Sequence, residues 1–131
     1  MARFKNWTAE ALLNKKVAKQ AAAPKETANG ITRNIIRIIN STPGCVAYRI
    51  NNVGVWDAEK KVYRKGNTQP GIFDIAAIIR GRAAWIEVKA GRDKMSREQL
   101  IFRQEVELAG GLAFVAYSTG EFLKWWETVR N

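Results

Sequence analysis

The sequence predicts an α/β fold, helices packed on a mixed β-sheet, and three observations predict it. Residues 72–79 and 83–90 are strand-like apolar segments separated only by Arg80-Gly81-Arg82, the form of a hairpin. Residues 112–117 are an almost continuous apolar run, short enough for a buried strand, placed after a helical segment closed by Gly110-Gly111. Segments with helical apolar spacing precede and follow these strands, so the elements alternate as layered α/β domains do.

In chain order, residues 9–23 form the first predicted helix, with Thr8 as N-cap and Trp7 stapled onto Leu12. Its apolar stripe is thin (Leu13, Val17, Ala21), and Pro24 ends it. Residues 28–40 form a second helix, whose Ile31, Ile35, Ile38 and Ile39 recur at the spacing of a buried face. Thr42-Pro43-Gly44 turns the chain into a strand over 46–50, with Val46, Tyr48 and Ile50 on one face and Ala47 and Arg49 on the other. Residues 53–65 suggest a hairpin turning at Asp57-Ala58-Glu59-Lys60, with a basic second half. The strands at 72–79 and 83–90 follow. Residues 96–109 then form a helix carrying Leu100, Phe102, Val106, Leu108 and Ala109. After the strand at 112–117, Ser118-Thr119-Gly120-Glu121 has capping-box form and opens a last helix with Phe122, Trp126 and Val129 on one side. Residues 1–25 are thus expected to be a basic helical arm and 26–131 the globular domain.

Composition narrows the chemistry. The 131 residues include no histidine, which excludes histidine triads, histidine-ligated zinc and any hydrolase whose base is histidine. One cysteine, Cys45, excludes an internal disulfide or a multi-cysteine metal site. No apolar run approaches a membrane span, no secretory leader is evident, and a cytoplasmic location is expected. The net charge is +10, distributed as +4 over residues 1–30, +5 over 31–70 and +1 over 71–131. A basic first half suits polyanion binding, and nucleic acid is the expected partner. The second half retains most of the carboxylates, which suits separate chemistry there.

That chemistry centres on the hairpin of residues 72–90. With a two-residue turn at Arg80-Gly81, Asp74 lies opposite Glu87; with a four-residue loop, it faces Lys89. Either register puts Asp74, Glu87 and Lys89 on one face, because strand side chains alternate with period two. Paired carboxylates invite a hard cation such as Mg²⁺ or Mn²⁺, with Lys89 beside it to orient water or stabilise developing charge. The same pattern also fits a solvated face with cross-strand ion pairs.

From about residue 31 to 126 the sequence resembles the PD-(D/E)XK nuclease superfamily, and most closely its VRR-NUC branch of small stand-alone phage and bacterial proteins. The matching pieces are Arg49-Ile50-Asn51, Pro70-Gly71-Ile72-Phe73-Asp74, Ile86-Glu87-Val88-Lys89, Ser96-Arg97-Glu98-Gln99 and Gly110-Gly111. The resemblance implies a restriction-endonuclease-like α-β-β-β-α-β core with a basic hairpin inserted. It implies a Mg²⁺-dependent (or Mn²⁺-dependent) DNA endonuclease with no small-molecule cofactor. Asp74, Glu87 and the Val88 carbonyl would bind metal, Lys89 would be catalytic and Gln99 would act from the following helix. Phe73 stands where the family has proline. The family's first-helix glutamate would fall to Glu26, although Asn29 lies closer to the expected place. Arg49, Asn51, Lys60, Lys61, Arg64 and Lys65 are the candidate DNA contacts. The resemblance further implies a homodimer acting on branched or four-way junction DNA in a bacterial or phage-infected cell. The alternatives are a non-catalytic DNA-binding module on the same fold and a basic RNA-binding protein.

Overall fold

The structure is a computed structural model and describes residues 25–50, 54–64 and 69–131. The predicted helix over 9–23, Asn51 and Lys65 lie outside the described residues. Helix α1 (Ala28–Asn40) leads into β1 (Cys45–Arg49), then the short strands β2 (Val55–Asp57) and β3 (Val62–Arg64). Strands β4 (Ile75–Ile79) and β5 (Arg82–Val88), helix α2 (Arg97–Leu108), β6 (Leu112–Ala116) and helix α3 (Thr119–Val129) complete the chain. Four strands form one mixed sheet in the order β1-β4-β5-β6, antiparallel except for the parallel pair β5–β6, which is joined through α2. Strands β2 and β3 form a separate two-stranded sheet.

Local chemistry explains the boundaries. Thr27 caps α1 by accepting the Gly30 amide, and Ser41 ends it. Ser96 and Gln99 form a complete capping box at α2; Ser118 caps α3 by accepting the Glu121 amide. Arg80 and Gly81 both have positive φ, 49° and 82°, as a two-residue hairpin turn of the right twist requires. Ile79 therefore pairs with Arg82 and Ile75 with Ile86, which selects the two-residue-turn register.

The main core lies on one side of the sheet. Ile31, Ile35 and Ile39 of α1 and Phe122 and Trp126 of α3 cover Ala47, Ile75, Ala77, Ile79, Ala84, Ile86 and Val88. On β1 the buried residue is Ala47, while Tyr48 on the opposite face is exposed. The other side is covered only in part. There α2 contributes Phe102, which meets Trp85 edge-on and lies against Phe73. Phe73 thus belongs to this second cluster and not, as strand alternation suggests, to the face of Ile75, because the ladder begins only at Ile75. Helix α2 also buries less than its composition suggests: Phe102 is its one buried residue, and Leu100 and Leu108 are exposed. Among the described residues no helix is long and apolar enough to cross a membrane.

Candidate active site

One step beyond the Ile75–Ile86 pair, the β4–β5 ladder gives way to side-chain hydrogen bonds between Asp74 and the Glu87 strand. The Asp74 N–H donates to Glu87 Oε1 at 3.2 Å, and the Val88 N–H donates to Asp74 Oδ2 at 3.1 Å. The Asp74 carbonyl accepts the Ile50 N–H at 2.7 Å, which ties the site to the end of β1. Each carboxylate is thus fixed by the other strand. The two-residue turn supplies the register, and the reciprocal bonds supply the orientation.

Glu87 is the centre of the group. It is 3% exposed, and its Oε2 accepts the Gln99 amide at 2.6 Å and lies 3.1 Å from Lys89 Nζ. Burial and then the neighbouring Asp74 carboxylate push its carboxyl up to about 7, against the opposing pull of Lys89. Gln99 uses both ends of its side-chain amide. Its Oε1 accepts the Ser96 N–H at 3.0 Å to close the capping box, leaving its Nε2 to hold Glu87. The cap therefore orients the amide for the site.

Gly71 brings that helix to the strand. Its φ is +74°, and a Cβ there would stand 2.2 Å from the Glu98 carbonyl oxygen and 2.7 Å from the Gln99 nitrogen. The backbone before Asp74 thus runs directly against the first turn of α2, an approach only glycine permits.

Other predicted residues lie apart from this group. Glu26 caps the start of α3 instead. It accepts the Thr119 N–H at 2.9 Å and bonds the Thr119 hydroxyl and Asn34. The Thr119 hydroxyl, followed by its amide, holds the Glu26 carboxyl below its usual range. Among the described residues no third acidic, histidine or cysteine side chain joins Asp74 and Glu87 in a metal-sized group. Arg49 is exposed and donates to Asn29 Oδ1 at 2.8 Å, joining β1 to the start of α1. Arg64 pairs with Asp57 at 2.7 Å, while Lys60 and Lys61 are exposed at the turn between β2 and β3. Sequence reasoning missed the Asn29–Arg49 and Glu26–Thr119 links, which join positions 20 and 93 residues apart and leave no local pattern.

The chain matches no family model, no curated protein and no solved structure. The site must speak through its donors. Two hard carboxylates, one of them buried beside a like charge that raises its pKa, form a donor set suited to a divalent cation with oxygen preference. Mg²⁺ needs only one or two protein carboxylates when substrate phosphate and water complete its shell, so the residues fit such an ion.

Proposed function

We propose that this protein is a Mg²⁺-dependent deoxyribonuclease of the PD-(D/E)XK type, acting as a homodimer on branched DNA. The observation that carries the proposal is the convergence of Asp74, Glu87, Lys89 and Gln99 at one end of the β4–β5 pair. The order α1, β1, β4, β5, α2, β6 also follows the α-β-β-β-α-β order expected of that core, with β2–β3 as the inserted hairpin. The net charge of +10 supports a polyanionic substrate.

Asp74 and Glu87 would hold the ion, with the Val88 carbonyl as a further donor, and the ion would supply charge neutralisation at the phosphate and a more acidic water. The chain's own residues do the rest. The Val88 N–H fixes the Asp74 carboxylate, and Gln99 fixes Glu87. The Lys89 ammonium, 3.1 Å from Glu87, stands where it can orient water toward phosphorus and offset charge developing on the phosphate. Water adds to phosphorus as the bond to one bridging oxygen breaks, and a proton from the water ends on that leaving oxygen, so that one DNA end carries a phosphate and the other a hydroxyl.

Plasmid incubated with protein and Mg²⁺ should be nicked, and a chelator should stop it. Asp74→Asn, Glu87→Gln and Lys89→Ala should each lower nicking by at least ~100-fold while leaving DNA binding within a few-fold of wild type. A folded variant that cuts at the wild-type rate removes its residue from the mechanism. The second reading, a non-catalytic DNA-binding module, is favoured by Glu26 lying at Thr119 and not beside Asp74. It predicts DNA binding with no Mg²⁺-dependent nicking at any protein concentration.

A further inference from the structure

The hairpin of β2 and β3 carries an aromatic pair that lies outside both core clusters. Trp56 and Tyr63 are direct cross-strand partners, with ring centroids 5.1 Å apart and planes at 63°. They are 51% and 75% exposed, and neither belongs to either core cluster. Val55, Asp57, Val62 and Arg64 alternate onto the opposite face, so within the paired strands the aromatic face consists of these two rings.

The hairpin holds its shape by other means. Asp57 Oδ1 accepts the Glu59 and Lys60 amides at 3.0 and 3.1 Å, and its Oδ2 pairs with Arg64 at 2.7 Å. Asp57 thus fixes the turn and ties the two strands together. Two large rings left half in water on a two-stranded sheet represent an exposed apolar surface with a use outside the core. Lys60 and Lys61, exposed at the adjoining turn, add positive charge beside the rings.

We propose that Trp56 and Tyr63 form a stacking platform for unpaired nucleobases, with Lys60 and Lys61 gripping the neighbouring phosphates. Rings flanked by cations match the alternation of flat base and charged phosphate along a single strand. A paired duplex keeps its base faces stacked on one another and offers such rings little. The proposal rests on the nucleic-acid reading above and deepens it: the substrate carries unpaired bases at its branch. The hairpin would hold those bases while the Asp74–Glu87 site meets the paired arm.

The test uses labelled 20-nucleotide oligothymidine and a 20-base-pair duplex, in chelator, read by fluorescence anisotropy. Trp56→Leu keeps an apolar side chain in the hairpin but removes the ring. It should weaken oligothymidine binding by about tenfold or more, and Tyr63→Leu should do likewise, with duplex binding changed less than about twofold. Trp56→Phe should restore most of the loss, and oligothymidine should quench wild-type tryptophan emission more than that of Trp56→Phe. Neutralising Lys60 and Lys61 together should weaken both DNAs. Equal oligothymidine affinity in Trp56→Leu and wild type overturns the proposal. So does an equal loss for both DNAs, or a change in light-scattering mass in place of a change in affinity. Wild type that nicks plasmid while Trp56→Leu binds oligothymidine normally overturns the platform and leaves the nuclease. Wild type that binds oligothymidine through Trp56 yet never nicks plasmid does the reverse.

Discussion

Glu87 bears on stability and on the proposed chemistry through the same buried carboxyl. Its folded carboxyl titrates near 7, against 4.5 unperturbed, because it is buried beside Asp74. A raised acid favours the folded state most when protonated. The contribution is therefore complete below pH 4.5 and is lost as pH rises through about 7. At 1.36 kcal/mol per pKa unit, metal-free protein should lose up to about 3 kcal/mol of stability between pH 4.5 and 8 from this residue. Glu26 acts in the opposite sense and lower, since its depressed carboxyl stabilises above 4.5 and loses that effect only in acid. Thermal melts across this range, in chelator, should show stability falling toward pH 8 in wild type and a flatter profile in Glu87→Gln. A wild-type profile that does not fall relative to that of Glu87→Gln between pH 5 and 8 would contradict this. Asp74, Glu87 and Lys89 were legible in the sequence because period-two alternation and a two-residue turn act locally. The double use of Gln99 was half legible: Ser96-x-x-Gln99 announces a cap, but only the packing of α2 beside β5 brings its free amide end to Glu87.

At the scale of elements, the site depends on how closely α2 approaches the segment before β4. Gly71→Ala places a methyl against the Glu98 carbonyl in a backbone conformation that disfavours any side chain. It should destabilise the fold by about 1–3 kcal/mol, visible as a lower melting temperature. It should also cut nicking more than DNA binding, since Glu98 cannot give way without moving Gln99. A variant that melts lower but nicks normally would show that the approach matters for stability alone. The sequence announced most of the α1 face: of Ile31, Ile35, Ile38 and Ile39, three are buried and Ile38 is half-buried against the core. It overstated α2, because Leu100 and Leu108 satisfy an apolar count while facing water. The helix covers only the Phe73–Trp85–Val115 side of the sheet, so one aromatic, Phe102, provides its anchor. A pattern can state which residues are apolar, but how much sheet remains to be covered is a property of the assembled layers.

The whole molecule is asymmetric about its sheet. Helices α1 and α3 cover one face, whereas among the described residues α2 leaves the β1–β4 half of the other open. Val46 pairs with Ile78 and Tyr48 with Ala76 across that open half, and Tyr48 and Ile78 are 68% and 51% exposed. With Ala83 and Trp85 they line a depression of about 250 Å³. Gln99 of α2 bonds Glu87, and α2 packs on this same side of the sheet, so a partner seated there would share that side with the proposed metal site. Trp125 and Trp126 are engaged within the fold: Trp126 is in the core, and Trp125 stacks on Phe114. In the proposed homodimer, Val46, Tyr48 and Ile78 would supply the apolar contact. Two copies each carrying +10 repel, so association should tighten as salt screens that charge. Light scattering at micromolar concentration and moderate salt should return twice the chain's 14.8 kDa. Ile78→Glu should return the monomer mass with an unchanged far-ultraviolet spectrum, because an exposed position tolerates charge in the monomer but not at an apolar seam. If wild type is monomeric at every salt concentration, or Ile78→Glu remains dimeric, the open face is not the seam. The homodimer of the proposed function then loses its seam, while the proposed cutting at Asp74 and Glu87 is judged by the nicking assay alone.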